Sequence, residues 1–260
     1  MAATCWLYPR IIAHRCGGAL APENSLAGMA IAAHLGIRAV EFDVMLSADG
    51  VPLLIHDETL ERTTDGEGAV AEMTAARLLA LDAGVRHHRA FAGERLPTLP
   101  QALDCCRRLG LAANVEIKPA AGHETETGRV VAQALSAYQQ QCAEAGRSGV
   151  SLLVSSFSES ALDAARIDAS IVGAPARALL FEEVPGDWPD RLRRLDCHFL
   201  HCAAATLQPE QLAEIRAAGL PLACYTVNRM DEAERLFAAG VTAIFSDRLD
   251  LFSGYDQGPR

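Results

Sequence analysis

The chain has 260 residues, with 33 acidic and 23 basic side chains, a formal net charge of −10 and 50% apolar residues. The acidic excess argues against a nucleic-acid-binding protein, because phosphate backbones require clustered Lys and Arg. The apolar content excludes a disordered chain, and no apolar run reaches the roughly 18 residues that a membrane-spanning helix needs.

Eight cysteines are spread along the chain without a CxxC pair and without a Cys/His spacing typical of zinc sites. This usage predicts buried, reduced thiols. The first six residues, Met1 to Trp6, lack the basic and apolar regions of a signal peptide. Together these features predict a cytoplasmic protein with no membrane insertion, and no pattern specifies an oligomeric state.

Short apolar runs alternate with amphipathic helical patterns from one end of the chain to the other. The runs predict strands over 10–14, 39–44, 51–56, 113–118, 151–157, 176–181, 198–202, 222–227 and 243–246. Ser158 and Asn228 are predicted helix N-caps, and Gly110, Gly219 and Gly240 are predicted helix ends. Continuous apolar strands that alternate with helices indicate a parallel sheet covered by helices.

The second and third strands break this alternation. Only residues 45–50 separate them, too few for a crossover helix, and Asp49-Gly50 predicts a hairpin with a two-residue turn. Eight strand–helix units remain, which predicts a (β/α)8 TIM barrel with a small insertion after the second strand. The alternative, a doubly wound sheet, lacks a Gly-rich phosphate fingerprint after its first strand. We expect a single domain over 1–260, with residues 82–97 passing over one mouth of the barrel.

Carboxylates lie at the ends of two predicted strands that are neighbours in the barrel. Glu41 and Asp43 are two residues apart on one strand, so they project from the same face. Glu116 ends the next barrel strand and brings a third carboxylate. Three carboxylates suit a hard divalent cation, Mg²⁺ or Ca²⁺. The structural alternative is ion pairing with Arg38 or Lys118.

Two histidines are predicted to flank these carboxylates. His14 ends the first strand, and a two-residue turn would place His56 across from Asp43, to within one register step. Such a pair of imidazoles can act as general acid and base.

Arg15 and Lys118 add positive charge at the same mouth, where they would contact a phosphate or neutralise the carboxylates. Tyr225 is expected to form an apolar wall for a small ligand or to pack structurally. His87 and His88 are predicted to be solvated, and three other histidines are not expected to be ligands: His34, His198 and His201.

These residues resemble the glycerophosphodiester phosphodiesterases, in particular the bacterial cytoplasmic type. The matching motifs are Ala13-His14-Arg15, Ala21-Pro22-Glu23-Asn24-Ser25, Val40-Glu41-Phe42-Asp43-Val44, His56-Asp57, Asn114-Val115-Glu116-Ile117-Lys118-Pro119, Ser155-Ser156-Phe157, Tyr225-Thr226-Val227-Asn228 and Ser246-Asp247. The resemblance implies a TIM barrel of the phospholipase C-like type, with an insertion over roughly residues 47–97. It implies hydrolysis of diesters such as glycerophosphocholine or glycerophosphoethanolamine to sn-glycerol 3-phosphate and an alcohol.

By the same resemblance, Glu41, Asp43 and Glu116 hold the metal, His14 and His56 are the acid and base, and Arg15 and Lys118 contact the phosphate. One departure is Cys16, where the family usually has Gly after His-Arg. The first nucleophile is left open between water and the neighbouring glycerol hydroxyl. Two other functions are compatible with parts of the pattern: a Schiff-base lyase using Lys118, and a non-catalytic phosphodiester-binding protein.

Overall fold

The computed structural model describes residues 8–167 and 174–255, so Cys5 and the N-terminal segment lie outside the described residues. Its strands are β1 (Ile11–Ala13), β2 (Ala39–Leu46), β3 (Pro52–Leu54), β4 (Ala112–Ile117), β5 (Leu152–Ser156), β6 (Ala176–Phe181), β7 (Phe199–Ala203), β8 (Leu222–Tyr225) and β9 (Ala243–Ser246). Its α-helices are α1 (Leu26–His34), α2 (Ala75–Leu78), α3 (Leu99–Leu109), α4 (Glu124–Glu144), α5 (Glu159–Ala164), α6 (Trp188–Leu195), α7 (Pro209–Ala217) and α8 (Met230–Ala239).

Eight of these strands form a closed parallel barrel. Neighbouring strands pair in the order β1-β9-β8-β7-β6-β5-β4-β2, and a further parallel pairing of β1 with β2 closes the ring. The helices follow the strands on the outside. The predicted (β/α)8 barrel is therefore confirmed, and the doubly wound alternative is excluded because an open sheet would leave two unpaired edge strands.

Side chains along β2 point alternately to the apolar core and to the interior of the barrel. All eight residues of this strand are buried. Phe42 and Val44 belong to the apolar core between strands and helices. Glu41 and Asp43 therefore point to the opposite face, toward the barrel interior. The strand thus carries packing residues on one face and the site's carboxylates on the other.

The hairpin of β2 and β3 differs from the prediction by one register step. Val44 lies opposite Leu54, and the Ser47 amide donates to the Val51 carbonyl at 3.1 Å. The loop therefore has one residue more than a two-residue turn, and Gly50 ends it in the left-handed region with φ +74°. The predicted two-residue turn is wrong. Asp43 faces the residue before His56, and the Ile55 amide donates to the Asp43 carbonyl at 3.2 Å.

Residues 47–97 form the predicted insertion after the second strand. They contain β3 and α2 and bury a small apolar cluster of their own, which includes Leu53, Leu60 and Leu78. Its last part, residues 82–97, reaches the start of α1, where the Ala27 amide donates to Glu94 Oε1 at 3.0 Å. The insertion is thus packed on the barrel beside its C-terminal mouth.

The helices begin and end near the predicted cap residues with one exception, Asn228, which is described with the site. Ser158 Oγ accepts from the Ala161 amide and caps α5, while Gly110 and Gly240 end α3 and α8 with positive φ. In the described part of the chain, no helix has both the length and the apolar content to cross a membrane. That residues 1–260 form one domain stays a prediction, because both termini lie outside the described residues.

Candidate active site

Three buried carboxylates converge at the C-terminal end of the barrel. Parallel pairing of β2 with β4 sets Glu41 beside Asn114 and Asp43 beside Glu116. One oxygen from each of Glu41, Asp43 and Glu116 lies within 4.8 Å of the others. Glu41 Oε1 and Glu116 Oε1 are buried and accept no hydrogen bond from the described residues. An oxygen-only donor set with two open carboxylate oxygens fits a hard divalent cation.

The electrostatics of this cluster favour positive charge beside it. Burial, and then repulsion from Asp43, raises the pKa of Glu116 to about 8. Burial and the charges of Asp43 and Glu116 raise the pKa of Glu41 well above its usual range. Because each carboxylate opposes ionisation of the others, the ionised trio needs positive charge between its members.

Arg15 and Lys118 lie on two sides of this cluster, as predicted. Arg15 Nε is 3.9 Å from Asp43 Oδ2, and its backbone amide donates to Glu41 Oε2 at 2.8 Å. Lys118 Nζ is 3.8 Å from Asp43 Oδ1 and 3.6 Å from Glu116 Oε1. Both cations therefore reduce the repulsion among the carboxylates, and both line the cavity above them.

His14 follows β1 and is held by a chain of hydrogen bonds. Its Nδ1 donates to Asp247 Oδ1 at 2.7 Å. Asn228 fixes this carboxylate, because its Nδ2 donates to Asp247 Oδ2 at 2.9 Å and its Oδ1 accepts from the Asp247 amide at 2.8 Å. Asn228 is therefore not the N-cap of α8, and that prediction is wrong. Arg229 occupies the N-cap position without a side-chain cap.

His56 lies on the other side of the carboxylates and has its own carboxylate partner. Its Nδ1 donates to Asp57 Oδ1 at 2.6 Å, and its Nε2 accepts from Lys118 Nζ at 2.6 Å. Arg62 binds both Asp57 and Glu23, and its hydrogen bond is the main reason that the pKa of Asp57 is lowered. Burial lowers the pKa of His56. Each of the two histidines thus has an aspartate at Nδ1.

A cavity of about 240 Å³ connects these groups. One side carries the two histidines, the three carboxylates, Arg15 and Lys118. The opposite side, formed by the ends of β5 to β9, is mainly apolar and includes Phe157, Leu180, Tyr225 and Phe245. The structure thus brings every predicted site residue to one cavity, and Tyr225 lies in its apolar wall, which is one of the two alternatives that the sequence left open.

Several residues around the cavity were not given a role by the sequence. Asn24 orients Asp43, since its Nδ2 donates to Asp43 Oδ2 at 2.9 Å and its Oδ1 accepts from the Asp43 amide at 3.0 Å. Asp247 and Asn228 do the same for His14. Their positions in the sequence could have indicated these roles. Asp247 directly follows the end of a predicted strand, and Asn24 lies in the motif Ala21-Pro22-Glu23-Asn24-Ser25. His201 also lines the cavity, and burial lowers its pKa to about 3.

Cys16 occupies the position where the family pattern has Gly. Its φ is +72°, in the left-handed region, so the backbone does need the conformation that glycine adopts easily. The thiol is buried in the core between strands and helices, and burial raises its pKa. Its side chain therefore points away from the cavity.

The weaker candidates lie where the sequence indicated. His87 and His88 are exposed. Ser156 Oγ donates to the Ile117 carbonyl at 2.6 Å, so this hydroxyl links the ends of β5 and β4. None of His34, His87, His88 or His198 lines the cavity of the carboxylates.

Comparison with known proteins gives the same family over almost the whole chain. The model of the glycerophosphoryl diester phosphodiesterase family matches residues 14–251. A glycerophosphodiester phosphodiesterase of Caldanaerobacter subterraneus subsp. tengcongensis is 31% identical over 239 residues, which cover 91% of this chain and 93% of that protein.

Solved structures agree. A phosphodiesterase of Oleispira antarctica, in complex with the product sn-glycerol 3-phosphate, superposes with a TM-score of 0.86 at 35% identity, covering 96% of this chain and 97% of that one. A glycerophosphodiester phosphodiesterase of Agrobacterium tumefaciens superposes with a TM-score of 0.72 at 28% identity, covering 95% of this chain and 99% of that one. The chain therefore belongs to the glycerophosphoryl diester phosphodiesterase family, and its activity is the hydrolysis of glycerophosphodiesters.

Proposed function

We propose that the chain hydrolyses glycerophosphodiesters such as glycerophosphocholine and glycerophosphoethanolamine to sn-glycerol 3-phosphate and an alcohol, with a divalent metal ion and two catalytic histidines. The observation that carries this proposal is the convergence of His14 and His56, each with an aspartate at Nδ1, on the cavity that holds three buried carboxylates. The product bound to the Oleispira antarctica relative supports the same product here.

Glu41, Asp43 and Glu116 would hold the ion, Mg²⁺ or Ca²⁺. When bound, it would supply positive charge for the non-bridging oxygens of the phosphodiester. Arg15 and Lys118 add fixed positive charge at the same place, and we assign them to the phosphate. A guanidinium can bind two phosphate oxygens through paired N–H donors, while the ammonium acts as a point charge.

The two histidines lie on different sides of the carboxylates, and we assign one proton transfer to each. His56 is the base: burial lowers its pKa, and its Nε2, which accepts from Lys118 Nζ in the structure, is the atom that would accept the proton of the attacking hydroxyl in place of that hydrogen bond. His14 is the acid, and Asp247 at Nδ1 orients its ring. In the proposed reaction His56 takes the proton of the attacking hydroxyl, the new P–O bond forms, the P–O bond to the alcohol breaks, and His14 protonates the departing oxygen.

The attacking hydroxyl is that of water or of the adjacent glycerol carbon. Attack by the glycerol hydroxyl gives a cyclic phosphate, which water then opens to sn-glycerol 3-phosphate. Rapid quenching in early turnover distinguishes the two routes, since only the second accumulates a cyclic glycerophosphate.

The Schiff-base alternative fits the geometry poorly. A Schiff-base lysine attacks through a free amine lone pair, whereas Lys118 Nζ donates to His56 Nε2 at 2.6 Å and lies within 3.8 Å of two carboxylates. Borohydride trapping tests it directly, and we expect no adduct on Lys118. The binding-protein alternative is not supported either, because no catalytic position of the family pattern is missing.

The direct test is release of sn-glycerol 3-phosphate from glycerophosphocholine by the wild type, by Glu41→Gln and by a matched control, Glu126→Gln. Glu126 is an exposed carboxylate on α4, outside the cavity. We expect the control to retain wild-type turnover and Glu41→Gln to lose at least about 100-fold in kcat/KM. Wild-type turnover by Glu41→Gln would overturn the proposed metal site.

The cytoplasmic localisation and the lack of nucleic-acid binding stay predictions. The seven cysteines among the described residues are free thiols, which agrees with a reducing compartment.

A further inference from the structure

The apolar half of the cavity contains a carboxylate that the proposed chemistry does not use. Glu182 directly follows β6, is exposed and lines the cavity. Its backbone carbonyl accepts a hydrogen bond from Thr206 Oγ1, which anchors the segment at the rim. Among the described residues no basic side chain forms an ion pair with Glu182. A free negative charge therefore faces a cavity that must admit an anionic phosphodiester.

Two aromatic rings line the same half of the cavity as this carboxylate. Phe157 follows β5, and 40% of its surface is exposed. Its ring meets that of Tyr225 edge to face, with centroids 5.9 Å apart and an interplanar angle of 81°. The Tyr225 hydroxyl donates to the Phe181 carbonyl at 2.8 Å, so it already has a partner inside the protein. Lys118 Nζ lies 6.0 Å from the centroid of the Phe157 ring, at the outer limit of a cation–aromatic contact, so the exposed part of that ring and the Tyr225 ring remain for a ligand.

A glycerophosphodiester has two arms, the glycerol and the alcohol that are esterified to its phosphate, and they need different contacts from such a wall. The glycerol arm is neutral and needs hydrogen-bond partners for its hydroxyls, and the side of the cavity with the histidines, carboxylates, Arg15 and Lys118 supplies more of them than the side with the aromatic rings. A carboxylate near the phosphate weakens binding unless the arm that lies beside it is positively charged. Aromatic faces with an adjacent carboxylate attract an ammonium group, and a quaternary ammonium in particular, through its charge and its methyl groups.

We propose that Phe157, Tyr225 and Glu182 form the subsite for the departing alcohol and that this subsite selects cationic head groups, choline above all. The inference rests on the proposed function, because it assigns one arm of the substrate of that site. The phosphate lies between the two halves of the cavity, with its charge toward Arg15 and Lys118 and its cationic arm toward Glu182. The glycerol arm then lies on the polar side of the cavity.

The test compares kcat/KM for glycerophosphocholine with that for glycerophosphoglycerol, whose head group is neutral. Both diesters share the glycerol arm, so a residue that binds that arm affects both equally. The variants are Glu182→Gln, Phe157→Leu and the matched control Glu183→Gln, which alters the neighbouring exposed carboxylate outside the cavity. Melting temperatures establish that all three variants are folded.

We expect the wild type to prefer glycerophosphocholine by about 3- to 10-fold, the range that a partly exposed cation–aromatic contact and one nearby charge supply together. Glu182→Gln and Phe157→Leu should each reduce this preference by lowering kcat/KM for the choline diester, and Glu183→Gln should leave it unchanged. For the neutral diester, Glu182→Gln should leave kcat/KM unchanged or raise it, because a charge that repels the phosphate is removed. Equal losses on both diesters would overturn the inference, because Glu182 would then serve the shared arm. Unchanged values in both variants would overturn it as well. If the proposed function itself is wrong, neither diester is hydrolysed by the wild type, so the two failures are distinguishable.

Discussion

Replacement of Asp247 by Asn tests whether the carboxylate beside His14 contributes to catalysis. Asp247 accepts from His14 Nδ1 through one oxygen and from Asn228 Nδ2 through the other. The new amide has only one acceptor oxygen for these two donors. Its NH2 group therefore faces either Asn228 or His14, and in the second case it forces the wrong tautomer on the imidazole.

The size of the effect follows from the hydrogen bond that is lost. A hydrogen bond to a charged group contributes about 1.5–3 kcal/mol. Because 33% of the Asp247 side chain is exposed, solvent screens its charge, and we expect the lower part of that range, about 1.5–2 kcal/mol. This corresponds to a fall of about 10- to 30-fold in kcat/KM.

The assay is the initial rate of sn-glycerol 3-phosphate release from glycerophosphocholine at saturating metal. Asp250→Asn is the matched control, because Asp250 is an exposed carboxylate close in sequence that pairs with Arg248 and does not line the cavity. The loss in Asp247→Asn should fall on kcat rather than on KM, with the melting temperature unchanged. A change below about twofold, or an equal loss in the control, would refute the role assigned to Asp247.

Two further predictions concern pH and stability. Burial lowers the pKa of His56 below its usual 6.5, so a base at this position stays unprotonated as the pH falls to 6.5. The acidic limb of the kcat/KM profile should have its midpoint below 6.5, and a midpoint above that value would contradict the assignment of His56 as base. Separately, a Cβ at Gly128 of α4 would overlap the Ala161 carbonyl oxygen of α5, whereas a Cβ at Gly186 meets nothing within 4 Å. Gly128→Ala should lower the free energy of unfolding by about 1–3 kcal/mol in denaturant titrations, and Gly186→Ala should change it by less than about 0.5 kcal/mol. Equal values for the two variants would contradict the tight α4–α5 contact.

The sequence predicted the barrel because its strands are buried on both faces and its helices carry a single apolar stripe. β6 and β9 have the predicted bounds, and the other strands differ from prediction by a few residues at their ends. The predicted hairpin was correct in kind but wrong in register. Turn length decides register, and Asp49-Gly50 fits both a two-residue turn and the observed longer loop that ends at Gly50.

The charged half of the site could be predicted because its residues stand at strand ends with regular spacing. Glu41, Asp43 and Glu116 are set on one face of two adjacent strands by the alternation of the chain alone. His14 and His56 were also found in this way.

The positioning residues could not be predicted from spacing. Asn228 has the residue type of a helix cap, and only the approach of β8 to β9 shows that its amide binds Asp247 instead. Glu182 and Phe157 follow strands on the far side of the barrel, and closure of the ring is what brings them to the cavity. Residues on opposite sides of a closed barrel are far apart in the sequence, so a local sequence pattern does not predict that their side chains meet.

The central claim is that hydrolysis requires a divalent ion held by Glu41, Asp43 and Glu116. The most direct measurement is a titration of the EDTA-stripped protein with Mg²⁺ or Ca²⁺, in which ion binding and sn-glycerol 3-phosphate release from glycerophosphocholine are followed together. The predicted result is no turnover in EDTA, with activity rising in proportion to the occupancy of a single site that Glu116→Gln abolishes. Full turnover of the stripped protein in EDTA would contradict the claim.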